Sequence, residues 1–146
     1  MEIQTTRFGP LTIESEDLLY FPAGLMGMEE CRRWVLLQDV HSDAMAWLQS
    51  AERAEIAVAV VSPRRFVPDY RIRVARPEIE PLELGDVRWA EVLVIVGRTD
   101  RSITLNLRAP LLVNLARRLG RQVITNGDLP IRYELAHGLV GLKKSA

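Results

Sequence analysis

The amino-acid sequence predicts an all-β fold, organised as a single compact β-barrel-like domain of short antiparallel strands with one or two short helices. The chain has 146 residues, enough for one domain whose core needs no disulfide or metal. Nine glycines and eight prolines interrupt it at short intervals, which favours many short elements. Between these breaks apolar residues alternate with polar ones, the pattern of strands with one buried face. We expect the domain to span residues 1–146, with residues 126–146 as a C-terminal tail.

The predicted strands, eight or nine in number, follow one another along the whole chain. Residues 44–50 and 56–61 are rich in the β-branched and aromatic side chains that suit a pleated sheet. Residues 92–96 are apolar on both faces, which predicts a central strand covered on each side. Residues 70–74 alternate apolar and basic side chains, as a half-exposed strand does. The remaining predicted strands are residues 11–14, 18–21, 103–108, 111–114 and 120–125. Closing such a sheet into a barrel removes its exposed edges, so we expect a monomer.

Helical signal is weak and confined to three short segments. Residues 28–34 are predicted to form about two helical turns, because Glu29 and Glu30 suit a helix N-terminus. Residues 81–89 predict one short turn. Residues 130–137 predict another, with Pro130 in its first turn. A chain with this little helix belongs to the all-β class.

Composition argues against several classes of protein. Hydrophobic residues make up 48% of the chain and charged residues 26%, a mixture typical of a folded globular domain. The longest uncharged apolar runs, such as residues 92–97, are far too short to cross a bilayer. Residues 1–7 lack the apolar core of a signal peptide. The single cysteine, Cys31, cannot form an internal disulfide, which favours a reducing cytoplasm. We therefore expect a cytoplasmic protein without membrane contact.

The formal net charge is zero, with 19 basic and 19 acidic side chains, but the charges are unevenly distributed. Residues 1–60 contain four basic and ten acidic side chains, whereas residues 61–146 contain fifteen basic and nine acidic ones. Such a chain can turn a charged side toward a partner, or its arginines can simply cover a solvated surface. In the basic C-terminal third, Arg117, Arg118 and Arg121 could grip phosphates. Tyr133 is the one aromatic residue there, however, so the sequence offers no base-stacking platform.

No arrangement of residues in the sequence predicts catalysis, a metal site or a cofactor. His41 and His137 lie far apart, and neither stands at ligand spacing from Cys31, so we expect no metal site. Gly24 and Gly27 lack the Lys-Ser or Lys-Thr that follows in a phosphate-binding loop, and instead predict a tight turn. An enzyme would need a pocket that joins one of the histidines to Cys31 or to a carboxylate. We expect a protein that is not an enzyme and binds no cofactor.

Aromatic residues divide between a predicted core and a predicted surface. Trp34, Trp47 and Trp89 are expected in the core, although tryptophan is also enriched at protein interfaces. Phe66 and Tyr70 bracket a proline-containing segment that predicts a loop. These two loop aromatics are candidates for a protein-binding surface.

Seven short motifs stand in a fixed order along residues 5–125. They are Thr6-Arg7-Phe8-Gly9, Phe21-Pro22-Ala23-Gly24-Leu25-Met26-Gly27-Met28-Glu29, Trp47-Leu48-Gln49-Ser50, Phe66-Val67-Pro68-Asp69-Tyr70, Val92-Leu93-Val94-Ile95-Val96, Asn106-Leu107-Arg108-Ala109-Pro110-Leu111-Leu112-Val113-Asn114, and Arg117 with Gly120-Arg121-Gln122-Val123-Ile124. Each motif alone is unspecific, but the ordered set resembles the bacterial flagellar assembly factor FliW family.

The resemblance implies a cytoplasmic, non-enzymatic regulator with a compact β-barrel-like fold. Members of this family bind the translational regulator CsrA, an RNA-binding protein, and thereby relieve its repression of flagellin mRNA. They also bind flagellin as a chaperone-like partner, so newly made flagellin competes for the factor. We therefore expect CsrA and flagellin as partners and no direct contact with nucleic acid. The alternative is a direct RNA-binding β-barrel that uses the basic C-terminal third.

A first group of candidate partner-binding residues is acidic. Glu14, Glu16 and Asp17 lie in the acidic N-terminal part of the chain. CsrA-type proteins present a basic RNA-binding surface, which these carboxylates could complement.

A second group is apolar and includes the turn formed by Leu25, Met26 and Met28. If these side chains are exposed beside Phe66 and Tyr70, they could receive the amphipathic terminal helix of flagellin. The alternative is that the two glycines of this turn fold the side chains back onto the barrel.

Overall fold

The computed structural model describes residues 1–135, whose regular elements are eleven strands, one short α-helix and four single 3₁₀ turns. The strands are β1 (Glu2–Ile3), β2 (Leu11–Thr12), β3 (Leu18–Tyr20), β4 (Arg33–Gln38), β5 (Met45–Ser50), β6 (Ala57–Val61), β7 (Glu91–Arg98), β8 (Ile103–Leu105), β9 (Leu111–Asn114), β10 (Leu119–Gln122) and β11 (Tyr133–Glu134). The helical elements are α1 (Arg76–Ile79) and single 3₁₀ turns over Ser15–Asp17, Pro63–Arg65, Glu80–Leu82 and Val87–Trp89. Within the described part of the chain, no helix is long and apolar enough to cross a membrane.

Seven of these strands close into a barrel. Neighbouring strands follow the order β7-β6-β5-β4-β3-β10-β9, and β9 pairs with β7 to complete the ring. All these pairs are antiparallel except β3 and β10, which run parallel and meet at Tyr20 and Leu119. The direction of β10 is imposed by its hairpin with β9, so β10 reaches β3 in parallel orientation. The predicted all-β barrel is confirmed.

Two smaller units extend the barrel. The first part of β7, residues 91–93, pairs with β9, and its last part, residues 96–98, pairs with β8. β11 then pairs with β8, so β7, β8 and β11 form a three-stranded sheet. The hairpin of β1 and β2 packs against the outward side chain of Val35 on β4, because successive side chains of a strand point to opposite faces.

The barrel encloses a core centred on Trp34, which is fully buried. Its indole N–H donates to the carbonyl oxygen of Cys31 at 3.0 Å, so the ring buries no unpaired donor. Phe21 and Leu48 pack against it and are also fully buried. Gly120 of β10 lies directly against the Phe21 ring, and a Cβ at this position would stand 2.6 Å from the ring atom Cε2. The core therefore depends on glycine at position 120.

The predicted helix at residues 28–34 is wrong. Turns occupy its first part, and β4 begins at Arg33. The carboxylate of Glu52 accepts hydrogen bonds from the amides of Arg32 and Arg33, at 2.6 and 3.0 Å. Together with the pairing of β4 and β5, this contact supplies those amides with partners from a distant part of the chain. Helical hydrogen bonds are therefore not formed.

The segment predicted as a strand at residues 70–74 is extended but joins no sheet. Its alternation is as predicted, since Ile72 and Val74 are half-buried whereas Arg71 and Arg73 are exposed. The amide of Arg73, however, donates to the side-chain hydroxyl of Thr125 at 2.7 Å. The carbonyl oxygen of Arg73 accepts from the amide of Asn126 at 2.7 Å. These contacts at one residue do not make a strand ladder, so the strand prediction is wrong.

The two other helical predictions differ in outcome. For residues 81–89 the sequence predicts one short turn, and the structure has two 3₁₀ turns there, Glu80–Leu82, which begins one residue earlier, and Val87–Trp89. The turn predicted at residues 130–137 is wrong where the structure describes it, because Tyr133–Glu134 pairs with β8 as a strand. Residues 136 and 137 of that prediction, and the rest of the predicted tail, lie outside the described residues.

Of the three tryptophans predicted in the core, only Trp34 is fully buried. Trp47 is half-buried on the barrel surface, where the Arg7 guanidinium lies 4.1 Å from the ring centroid and Phe8 meets the ring edge-on. Trp89 is 73% exposed, so the prediction is wrong for this residue. Its 3₁₀ turn lies outside the barrel sheet and places the ring over Gly85.

Candidate functional site

The acidic turn, residues 14–17, connects β2 to β3 through a single 3₁₀ turn. The Asp17 carboxylate accepts a hydrogen bond from the amide of Glu14 at 2.8 Å, and the Asp17 amide donates to the Glu14 carbonyl oxygen at 3.0 Å. Asp17 therefore maintains the shape of the turn. The side chains of Glu14 and Glu16 are exposed, so the turn presents two carboxylates to solvent.

Arg118 anchors the end of the acidic turn to the barrel. Its guanidinium donates to the carbonyl oxygens of Asp17 and Leu18, at 2.8 and 3.3 Å. The two other arginines considered for RNA binding face carboxylates. Arg117 lies 3.6 Å from Glu83, and Arg121 lies 2.6 Å from Glu78. All three guanidinium groups thus have partners within the protein.

The apolar turn, residues 24–28, has a shape that two glycines make possible. Gly24 and Gly27 have φ angles of 67° and 86°, in the left-handed region that side chains disfavour. A Cβ on Gly24 would also lie 2.6 Å from the Cα of Glu29. The amide of Gly27 donates to the Glu29 carboxylate at 3.0 Å, and this hydrogen bond lowers the pKa of Glu29. The predicted tight turn is confirmed.

The apolar turn divides its three long side chains between core and solvent. Leu25 is 1% exposed and packs in the barrel core, and Met28 is half-buried against the same core. Met26 is 48% exposed, and its amide donates to the side chain of Gln122 at 2.8 Å. The expectation that Leu25 offers a surface to a partner is wrong, because the turn directs its side chain inward. Met26 remains as the exposed apolar residue of the turn.

The loop at residues 66–70 contributes less surface than predicted. Tyr70 is 4% exposed, and its hydroxyl donates to the carbonyl oxygen of Leu107 at 2.7 Å. Burial raises the pKa of Tyr70 to about 12. The expectation that Tyr70 is exposed is therefore wrong, and Phe66 is half-buried in the same cluster. That cluster is separate from the one that holds Leu25 and Met28, so the two candidate groups do not form one apolar core cluster.

Trp89 and Leu115 form an exposed apolar pair that the sequence does not predict. They are 73% and 45% exposed and line a hollow of about 320 Å³ together with Glu83 and Arg117. The one sequence signal is that residues 81–89 predict a short turn and no strand, so Trp89 has no sheet face to enter. An exposed tryptophan is a common anchor of protein interfaces.

Side chains capable of chemistry form no metal centre in the part of the chain that the structure describes. There, no group of three or more His, Cys, Asp or Glu residues is placed to hold an ion. Cys31 is fully buried, and a thiol sealed in this way has no access to substrate. His41 lies in an exposed loop, and His137 lies outside the described residues.

Matches to known proteins cover nearly the whole chain. The family model described as FliW protein matches residues 2–137. A flagellar assembly factor FliW from Bdellovibrio bacteriovorus is 38% identical over 135 residues, which cover 90% of this chain and 77% of that protein. A flagellar assembly factor FliW from Clostridium botulinum is 32% identical over 141 residues, which cover 95% of this chain and 96% of that protein.

A solved structure agrees with these relatives. The crystal structure of a flagellar assembly factor FliW matches with a TM-score of 0.84 and 27% sequence identity, and the match covers 92% of this chain and 96% of that chain. The resemblance inferred from the seven ordered motifs is thereby confirmed. Since the family model spans every strand of the barrel and both smaller units, the chain belongs to the FliW family.

Proposed function

We propose that this protein is a flagellar assembly factor that acts by binding two proteins, the translational regulator CsrA and flagellin. Family membership over residues 2–137 carries the role in flagellar assembly, since the relatives bear that name. The exposed acidic turn and the exposed side chain of Met26 support a role in partner binding. Binding of CsrA would relieve repression of flagellin mRNA, and newly made flagellin would compete for the same factor in the cytoplasm.

The acidic turn is the proposed contact for CsrA. Glu14 and Glu16 are exposed on a turn that Asp17 and Arg118 hold in place, so the carboxylates are presented in a defined arrangement. A basic surface that approaches them gains favourable electrostatic energy and a faster association rate. The turn is therefore suited to a protein whose RNA-binding surface is basic.

Charge reversal at the turn tests this contact. We expect the double variant Glu14→Lys with Glu16→Lys to bind CsrA about tenfold more weakly and with a smaller dependence on salt, because two attractive charges become repulsive. Asp17 is left unchanged because its carboxylate maintains the turn. Isothermal titration calorimetry with purified CsrA at low and high salt measures both effects.

A matched variant separates this contact from the effect of net charge. Asp100 and Asp128 are exposed and lie far from the turn in sequence, so Asp100→Lys with Asp128→Lys makes the same change in charge elsewhere. We expect its affinity for CsrA to stay within about threefold of the native value. Equal weakening by both double variants, or by neither, would contradict a contact at the acidic turn.

Met26 is the proposed apolar contact for flagellin. Its exposed side chain can enter a groove between the side chains of an amphipathic helix, whereas Met28 supports the core. We expect Met26→Asp to abolish flagellin binding in a pull-down without changing the thermal unfolding midpoint. Met28→Asp should lower that midpoint because it buries a charge against the core. Undiminished flagellin binding by Met26→Asp would contradict this part of the proposal.

The proposed role requires no direct contact with RNA. Hydrogen bonds and ion pairs within the protein engage Arg117, Arg118 and Arg121, which favours protein binding over the RNA-binding alternative. We expect no saturable binding of a flagellin leader RNA in a fluorescence-anisotropy titration. Salt-sensitive RNA binding that is lost in Arg117→Glu would instead support the RNA-binding barrel.

A further inference from the structure

A groove of about 520 Å³ lies beside the barrel, at the point where β6 leaves the sheet. β6 ends at Val61, and the chain then turns away through the 3₁₀ helix Pro63–Arg65. The extended segment around Arg71 forms one wall of the groove, and the start of β7 around Val92 forms another. This volume falls in the range of pockets that hold ligands or peptide segments.

The walls of the groove carry an excess of guanidinium groups. Arg64, Arg71 and Arg88 line it together with a single carboxylate, Glu91. Arg88 is paired with Asp86 at 2.7 Å, but neither Arg64 nor Arg71 forms an ion pair with any residue from 1 to 135. Arg64 instead donates from Nε to the carbonyl oxygen of Tyr70 at 2.9 Å, which holds it at the rim. The groove therefore favours an anionic occupant.

The groove also exposes one edge of a β-strand. The carbonyl oxygen of Ile95 accepts from the amide of Asn106, on the β8 side of β7. Backbone groups alternate in direction along a strand, so those of Val94 and Val92 face the opposite side, where β6 lies. Val94 pairs there with Val61, but β6 ends at that residue. Among residues 1–135, no strand therefore neighbours Val92 on the β6 side of β7, although β9 pairs with β7 on the other side. Val92 also lines the groove.

We propose that this groove binds an extended segment of a partner protein in which acidic residues alternate with apolar ones. The backbone of the segment would pair with the β7 edge at Val92, as in strand addition. Its carboxylates would reach Arg64 and Arg71, and its apolar side chains would cover the half-buried Ile72 and Val87. This surface is distinct from the acidic turn and from Met26, so the inference is independent of the proposed partner contacts.

A nucleic acid fits this groove less well than a peptide does. The ring of Tyr70 is buried, so it offers no stacking face for a base. Glu91 would repel a continuous polyanion, whereas a peptide can place an apolar residue beside it. An exposed strand edge is moreover complementary to another backbone in extended conformation.

The test uses the full chain and a fluorescein-labelled octapeptide of alternating valine and glutamate. We expect saturable binding in fluorescence anisotropy, and at least about tenfold weaker binding of the corresponding valine–lysine peptide. In two further probes, alternate amides of the valine–glutamate peptide are N-methylated on one edge or on the other. We expect at least one of these probes to lose binding, because a methyl group removes the donor that pairs with β7.

A matched pair of variants locates the binding. Arg71 lines the groove, whereas Arg73 is exposed on the same extended segment without lining it. We expect Arg71→Glu to weaken binding of the valine–glutamate peptide by about tenfold or more, and Arg73→Glu by less than about threefold. Circular dichroism of both variants checks that the fold is retained.

Several results would overturn the inference. The absence of saturable peptide binding up to about 1 mM would exclude the groove as a peptide site. Equal weakening by Arg71→Glu and Arg73→Glu would assign the binding to general electrostatic attraction. Full retention of binding by both N-methylated probes would exclude strand pairing. Arg71-dependent displacement of the peptide by single-stranded RNA would assign the groove to nucleic acid instead.

Discussion

Replacement of Gly120 by alanine tests how closely the barrel core packs beside the junction of β3 and β10. Gly120 lies on β10, next to the junction where β10 meets β3 in parallel at a single residue pair. The Phe21 ring packs against the glycine so closely that a Cβ would stand 2.6 Å from Cε2, whereas ordinary contacts begin at 3.4 Å. The ring atom Cζ would lie closer still, so the fully buried ring would have to retreat by about 1 Å in a close-packed core.

The cost of this displacement follows from the rigidity of the core. Overpacking a well-packed interior destabilises a protein by about 1–3 kcal/mol. For a chain of this size, 1 kcal/mol corresponds to a shift of the unfolding midpoint by about 3 °C. We therefore expect Gly120→Ala to lower the midpoint by about 3–9 °C. Thermal and urea unfolding followed by circular dichroism measure this loss.

A second substitution separates the steric effect from other effects of alanine. Phe21→Leu alone removes buried ring atoms and should cost about 1–2 kcal/mol. In the double variant the methyl group introduced at position 120 occupies space that the ring has vacated. We expect the double variant to be more stable than the sum of the single changes predicts, by about 1 kcal/mol or more. Additivity within about 0.5 kcal/mol would refute the steric argument.

Three further predictions concern side chains whose environments the structure defines. Tyr70→Phe should lower the free energy of unfolding by about 1–2 kcal/mol at neutral pH, since the Leu107 carbonyl loses its donor. Because burial raises the pKa of Tyr70 from 10.0 to about 12, the extra stability of the native protein should be complete below pH 10 and shrink as pH rises from 10 toward 12. A difference in stability that stays constant with pH would contradict this. The Trp47 indole donates to Asp39 at 3.0 Å and lowers the pKa of that carboxyl below 3.8, so Trp47→Phe should raise the Asp39 pKa in an NMR titration, and the stability that the native hydrogen bond adds should vanish as pH falls through the lowered pKa. Trp89→Ala should change the free energy of unfolding by no more than about 0.5 kcal/mol, because the ring is 73% exposed, and a loss above about 2 kcal/mol in urea unfolding would assign Trp89 to the core.

Local pattern predicts strands well where the pairing partner is the next strand in the chain. The predicted strands at residues 44–50 and 56–61 form the hairpin of β5 and β6 with nearly the predicted limits. β4 is not predicted, because the charged residues before it suit a helix N-terminus and the sequence predicts a helix there. In the structure, the carboxylate of Glu52, which follows Arg32 by 20 residues, accepts hydrogen bonds from the amides at the start of β4. No window of local sequence contains that contact.

The exposure of individual side chains in the candidate surfaces is equally hard to predict. Leu25 and Met26 are adjacent and both apolar, yet one is 1% and the other 48% exposed. The left-handed conformation of Gly24 and the bridge between Leu25 and Met28 determine which of them faces the core. The acidic turn is more predictable, because carboxylates in a short connection have no apolar surface to enter.

The sequence by itself determined the fold class and the family. Period-two alternation and frequent chain breaks are local properties, and the ordered motifs can be read along the chain without knowledge of any contact. Tertiary structure alone decided the closure of the barrel through β7 and β9, the parallel junction of β3 and β10, and the burial of Tyr70. It also decided the exposure of Trp89 and the position of the arginine-lined groove. Each of these features depends on contacts between residues that are far apart in the chain. Local periodicity does not predict such contacts.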